Sequence, residues 1–447
     1  MVELLEKHDT YQQICDHLKR HDSSNGRAWL GQVREAAMNR FANLGWPSTR
    51  DEEWRYTNLK PLIETDFSAN ETSDSIPTPD TLQPFAIGPT SAQLVFVDGC
   101  FCPELSQTTK LPTGIYVGNL NQALNDRGDL VRSHFEKSLR DSSDALSALN
   151  AALVKGGAFI HIENGIDVPD PIYLMYLSGT SVTPQMTHPR QLIIAESNCR
   201  ATVVEHYASL RNKVYWNNAV TEARVETGAE LTHYLIDRDC DQAFNTSTLC
   251  VDQDHNSRFR SHTALFGGRL VRNNVHVNLN GSGCDSLVNG LFVASGSQHM
   301  DNHMRVVHAA PNCDSRQFYK GVLDDHARGV FTGRIVVRQD AQKTDAKQTN
   351  RNLLLSDNAQ INTKPQLEIY ADDVKCTHGA TTGQLDDEAM FYLRSRGITG
   401  TAARALLIYA FAAEGLDRMD EQPLQDYLSR ELIQRLAQRG LLEPAFD

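Results

Sequence analysis

The chain has 447 residues, 40% of them hydrophobic and 22% charged, with a formal net charge of −13. That length allows two or three structural units around a sizeable core. The acidic balance, with Lys and Arg scattered, argues against DNA or RNA as the main partner.

Nine cysteines occur without a CxxC pair. No signal peptide follows Met1 and the first residues are rich in acids, so free thiols in a reduced, cytoplasmic setting are expected. The longest apolar run, from Ala405 to Ala413, is far short of the ~20 residues that span a bilayer, so no membrane segment is expected.

Residues 1–90 read as an N-terminal helical domain and linker. Trp29, Val33, Ala37 and Phe41 fall on one helical stripe, which Gly45-Trp46-Pro47-Ser48 stops. Glu53-Trp54-Arg55-Tyr56-Thr57-Asn58-Leu59 reads as a second helix packed on its neighbour. Residues 66–92 are polar and read as a linker or surface loop. Ala92 to Gly99 forms a first strand and turn. Residues 117–154 form a helical insert, with Leu146, Leu149 and Leu153 on one face. Further strands follow at Phe159–Ile162, Ile172–Leu177, Gln191–Ala195, Ala201–Glu205 and Ala229–Ile236.

Residues 257–385 carry the strongest pattern. Gly267, Gly281, Gly296, Pro311, Asp325, Asp340, Asp357 and Asp372 mark turns at a mean interval of about 15 residues. Between them apolar side chains alternate, as in Val275-His276-Val277-Asn278-Leu279 and Leu367-Glu368-Ile369-Tyr370. Two-residue hairpin loops are missing, which disfavours a meander. No helices intervene, which excludes βαβ units. A coil remains. The expected fold is mostly β: a right-handed parallel β-helix over residues 91–384, flanked by N-terminal and C-terminal α-helical domains.

Residues 385–447 form the C-terminal helical domain. Asp386 caps a short helix over Ala389–Arg394 that Gly397 ends. Thr401 opens a second helix closed by Gly415. Pro423 opens a third, with Leu424, Leu428, Leu432 and Leu436 on one stripe before Gly440. That stripe packs on its own domain or docks a partner.

No Walker motif occurs, so any ATP hydrolysis belongs to another chain. Asp324-Asp325, Asp340 with Asp345, and Asp372-Asp373 resemble the carboxylate pairs of β-helices that act on polysaccharides, but each includes a turn marker where Asp suits the backbone. His299 and His303 would chelate a metal on a helix, whereas on a strand they lie ~13 Å apart. Cys376 and His378 are two apart on a strand, so thiol and imidazole share one face ~7 Å apart, with Lys375 on the other. They suit iron or an iron–sulfur cluster, for which two ligands are too few. On the residues alone, a buried Cys and a turn His outweigh the ligand reading.

The segment Leu367-Glu368-Ile369-Tyr370-Ala371-Asp372-Asp373-Val374-Lys375-Cys376-Thr377-His378-Gly379-Ala380-Thr381, continued by Asp386 to Ile398, closely resembles the signature of the SufD family. The motif Glu53 to Leu59 also looks like that family's. The resemblance runs over residues 25–415 and implies a non-enzymatic scaffold subunit of the SUF machinery for iron–sulfur cluster assembly. It implies pairing with a SufB-like β-helix paralogue and docking of a SufC-like ABC ATPase on the C-terminal domain. A transient cluster would be the cargo, and ATP would enter only through SufC. The paralogue SufB carries a cysteine just before this motif. Here Gln348 to Leu355 contains none, which points to the SufD branch. His378, with Cys376 beside it, is then the metal ligand expected at the SufB interface. A homodimer is plausible for the isolated subunit. A stand-alone carbohydrate-active β-helix, and a purely structural partner of SufB, are the alternatives.

Overall fold

From Arg200 onward the chain alternates between two facing sheets, one strand in each per turn. The computed structural model describes residues 28–68, 77–108, 111–139 and 144–438. Each sheet holds ten strands, and consecutive strands within a sheet are parallel along this stretch. Glu230 pairs with Arg200 on one side and with Arg258 on the other; Arg258 pairs with Asp285, and Asp285 with Asp314. This is the expected parallel β-helix. All eight turn markers fall between strands.

In-register stacking means that like residues meet inside the coil. Phe96, Tyr176 and Tyr207 stack face to face with 4.8 Å between successive rings, the spacing of adjacent strands. Gly267 and Gly281 serve the same stacking. A Cβ on Gly267 would stand 2.0 Å from the Asp239 carbonyl oxygen, and one on Gly281 would stand 2.1 Å from the His255 amide nitrogen. Both obstacles are backbone atoms of the preceding rung's corner, so any side chain there would pry the rungs apart.

Two strands, Tyr215–Val225 and Phe244–Gln253, escape the sequence pattern because polar Asn217, Thr221 and Ser247 interrupt the inner rows that Ala219, Ala223, Leu249 and Val251 otherwise fill. Buried Glu205 organises this part of the interior. It accepts hydrogen bonds from Gln191 (3.2 Å), Tyr207 (3.0 Å), Thr221 (2.5 Å) and His233 (2.9 Å). A buried carboxylate with four donors is satisfied, so the polar interruption does not break the strand.

Helices cover the outer face of each sheet. On one, Ala145–Leu153 is buried along its whole length against Tyr215–Val225, where Asn150 donates to the Asn218 carbonyl. Ala28–Leu44 packs on it through Ala37 and Phe41. On the other sheet, Gly400–Leu416 and Gln422–Gln438 bury Ile408, Ala412, Leu428 and Leu432 against Tyr234, Leu291 and Val322. Lys320 on that face is buried, paired with Glu414 and 4.0 Å from the Phe411 ring centre.

Three expectations are corrected here. The Leu424–Leu436 stripe is covered by the coil, so it is not a free docking face. Gly415 lies inside the second helix and packs against Leu291 rather than ending it. The Glu53–Leu59 motif is not a helix: Glu52–Trp54 is a 3-10 turn and Lys60–Ile63 a single α-turn. Residues 1–27 of the expected N-terminal helices, with Cys15, and Gly440 lie outside the described residues.

Candidate functional site

The last two strands of the coil are each paired on one side only. Gln360–Ile369 pairs with Arg328–Val337, and Val374–Gly383 with Thr344–Leu354. The burial that runs through every earlier rung stops here. Most of Gln360–Ile369 is half-exposed and most of Val374–Gly383 exposed. Tyr370 beside them is 64% exposed.

The two edges differ in chemistry. Gln360–Ile369 contains Pro365, which lacks a ladder donor and is tolerated because the strand is an edge. Val374–Gly383 contains no proline, and a Cβ added at Gly379 or Gly383 would meet nothing within 4 Å. It is a free strand edge with room for another backbone.

Cys376 and His378 lie on this edge. In register, Val374 stands over Thr344, Cys376 over Ala346 and His378 over Gln348. Thr344, Ala346 and Gln348 are buried, alternating with less buried neighbours, so Cys376 and His378 continue an inward-facing row at a rung nothing follows. Cys376 is half-buried against Ala346 and Ile335, whereas His378 is exposed. Burial, with Asp345 nearby, pushes the Cys376 thiol above its usual pKa. Alone it stays protonated at neutral pH and gains nucleophilic or ligand character only when a metal or cation arrives. Among the described residues no three His, Cys, Asp or Glu side chains form a metal site.

Other candidates are engaged elsewhere. His299 shares a hydrogen bond with Thr57 (2.8 Å), and His303 is paired with Glu53 and Asp301. Their i, i+4 spacing serves the N-terminal segment, not a metal. Of the carboxylates, Asp325 accepts from the Gly296 amide and has φ +52°, Asp345 pairs with Arg316, and Asp373 with Lys343. These are turn and surface roles. The described cysteines are all free thiols. No described helix is long and apolar enough to cross a membrane.

Two features went unread in the sequence. The Glu53–Leu59 motif docks on the coil itself. Arg272 ion-pairs with Asp301 (2.6 Å), donates to the Glu53 carbonyl (2.8 Å) and lies 3.8 Å from the Trp54 ring centre. Thr57 donates to the same Asp301. Next to the open end, the Asp387–Ser395 helix buries none of its residues and presents Phe391 (75% exposed) and Tyr392. Its acidic first turn signalled a helix start but not an uncovered face.

Comparison with known proteins decides the family. Residues 176–411 match the SUF system FeS cluster assembly, SufBD core domain, and residues 5–174 match the SufBD protein N-terminal region. The chain belongs to the SufBD family. It is 35% identical over 409 residues to an iron–sulfur cluster assembly SufBD family protein of Synechocystis sp., covering 89% of each chain. It is 33% identical over 405 residues to the iron–sulfur cluster assembly protein SufD of Escherichia coli, covering 89% of this chain and 91% of the relative. The SufD of Bacillus subtilis is 27% identical over 402 residues. The SufBD core match includes the whole free edge with Cys376 and His378.

Proposed function

We propose that this SufBD-family chain is a SufD-type scaffold subunit that pairs through its open coil end with a SufB-like coil. The observation that carries this is the Val374–Gly383 edge, unpaired and unobstructed, at the terminus of an otherwise buried stack. A homologous coil has the same strand spacing and twist, so it can continue both sheets across the joint. The exposed Tyr370 would be buried there. In the absence of that partner, the same edge supports pairing of two copies.

The chain supplies no catalytic centre in this reading. Cys376 and His378 lend a thiol and an imidazole to iron or a nascent cluster, the cargo, and the partner coil completes the ligand set. The neutral state of the isolated thiol fits a donor that ionises only on metal arrival. ATP is hydrolysed by a SufC-like ABC ATPase docked on the C-terminal domain, residues 385–447. Because the Leu424–Leu436 stripe is already covered, docking uses the outward faces, including the uncovered Asp387–Ser395 helix. Rungs hydrogen-bonded in series transmit a displacement from these helices to the joint as one body. The expected cytoplasmic setting belongs to the same proposal.

A second reading, a purely structural partner of SufB, draws on the lack of a third donor among the described residues. The test co-expresses the chain with SufB-like and SufC-like partners and compares it with a Cys376→Ser/His378→Ala variant. Cluster absorbance and complex mass are read together. An intact complex with impaired cluster build-up supports the ligand role. An intact complex with normal build-up leaves only the structural role, and failure of the wild-type chain to assemble refutes the scaffold reading.

A further inference from the structure

A second concave feature lies away from the open end, on the outer face of the sheet that carries the N-terminal helices. It is a cavity of about 530 Å3 between the coil and the segments around Trp54 and Ser138. The register places Cys250, His276, Arg305 and Arg334 in one column on four successive strands of its floor. Successive members of such a column are ~4.8 Å apart. Like charges placed directly opposite on neighbouring strands repel, and Arg305 and Arg334 are such a pair.

The neighbouring charges sort into two groups. Arg272 is neutralised by Asp301, Arg334 by Glu368 (2.6 Å), and Glu53 is held by His303, whose hydrogen bond lowers its pKa to about 2. Asp144 caps the Ala145–Leu153 helix. In contrast Lys137, Arg305 and Arg338 line the cavity, are exposed, and are not ion-paired among the described residues. The wall holds five Lys or Arg side chains against two carboxylates, in a chain whose net charge is −13. Partial desolvation in the groove, then Arg334 and Arg338, lower the pKa of Arg305, and Glu368 raises it again in part, so the cluster keeps repulsion that a bound anion would relieve.

We propose that this groove binds a phosphorylated small molecule, its phosphate oxygens held by Arg305, Arg338 and Lys137. Three separate cations match a polyanion better than a single carboxylate, and guanidinium groups suit the phosphate fork. The volume lies within the ~300–1,000 Å3 of small-molecule sites. A nucleic-acid strand would need a basic track beyond the groove, which the acidic surface does not offer.

The probe is inorganic pyrophosphate, titrated calorimetrically into the full chain at low ionic strength. Saturable one-to-one binding is expected. Arg305→Ala/Arg338→Ala should weaken it at least tenfold, and Arg305→Gln alone should weaken it measurably. The control Arg200→Ala/Arg258→Ala removes two exposed arginines on the opposite sheet and should leave binding unchanged. Circular dichroism checks that each variant is folded. If the double variant does not fold, Arg305→Gln decides. No saturable binding overturns the proposal. So does equal loss in groove and control variants, or binding of a hexaglutamate peptide in place of pyrophosphate.

Discussion

Replacing Arg272 by Ala should release the N-terminal segment from the coil while leaving the coil folded. The Arg272 and Asp301 side chains are 4% and 1% exposed and 2.6 Å apart. Removing one partner of such a pair strands a buried charge, at a cost of ~3–5 kcal/mol. Burial opposes the Asp301 charge, but Arg272 and His303 together hold its carboxyl well below the usual range. After the change His303 and Thr57 still face Asp301, which argues for the low end, about 3 kcal/mol. The lost contact with the Trp54 ring adds about 1 kcal/mol. Together these correspond to a roughly thousandfold larger opening constant for the docked segment. Hydrogen exchange of Glu52–Ile63 measures this directly, because these amides should lose protection while those of Arg258–Leu265 keep theirs. An Arg272→Met/Asp301→Leu pair removes both charges and should recover part of the loss. Unchanged protection in Arg272→Ala, or equal loss throughout the coil, would refute the reasoning.

Gly379→Arg places its side chain in open space, so the isolated chain should melt within a degree or two of wild type, while co-purification with a SufB-like partner should fail. A fall in stability without loss of pairing would count against the edge as the joint. His308 is fully buried, and burial pushes its pKa down to about 4. The unfolded chain protonates it near 6.5, so the unfolded state binds the extra proton between pH 6.5 and 4 and stability falls as pH drops through that window. The gap is worth at most about 3 kcal/mol, and His308→Gln should flatten the dependence of the urea midpoint on pH there. Gly267→Ala drives a Cβ into the Asp239 backbone and should cost more than an overpacked side chain, above about 3 kcal/mol, with soluble yield and thermal midpoint both falling.

The regular coil was legible because its turn markers recur and its inner rows are apolar. The strands at Tyr215–Val225 and Phe244–Gln253 were not, because Asn217, Thr221 and Ser247 interrupt the inner rows there and their partners, Thr187, Glu205 and Asn273, come from other strands. The spacing of Cys376 and His378 gave their common face. Their exposure depended on whether a further rung follows, which spacing alone does not tell. The docking of Trp54 was invisible for a similar reason: its partner Arg272 is over 200 residues away, and nothing local marks the pair. The final leucine stripe was seen, but its choice between a partner and the coil rests on the apolar outer face formed by Tyr234, Leu291 and Val322, which no single strand announces.

The two termini of the stack are unlike. At the first rungs the sheets finish in the two-residue Cys100–Phe101 strand and the Ile115–Asn119 strand, both antiparallel to their neighbours. The two poles therefore present different edges. The proposed pairing uses the opposite pole, and a single joining event there would consume it. In the proposed pairing the assembly would therefore stop at two coils, where a two-poled repeat would polymerise into fibres.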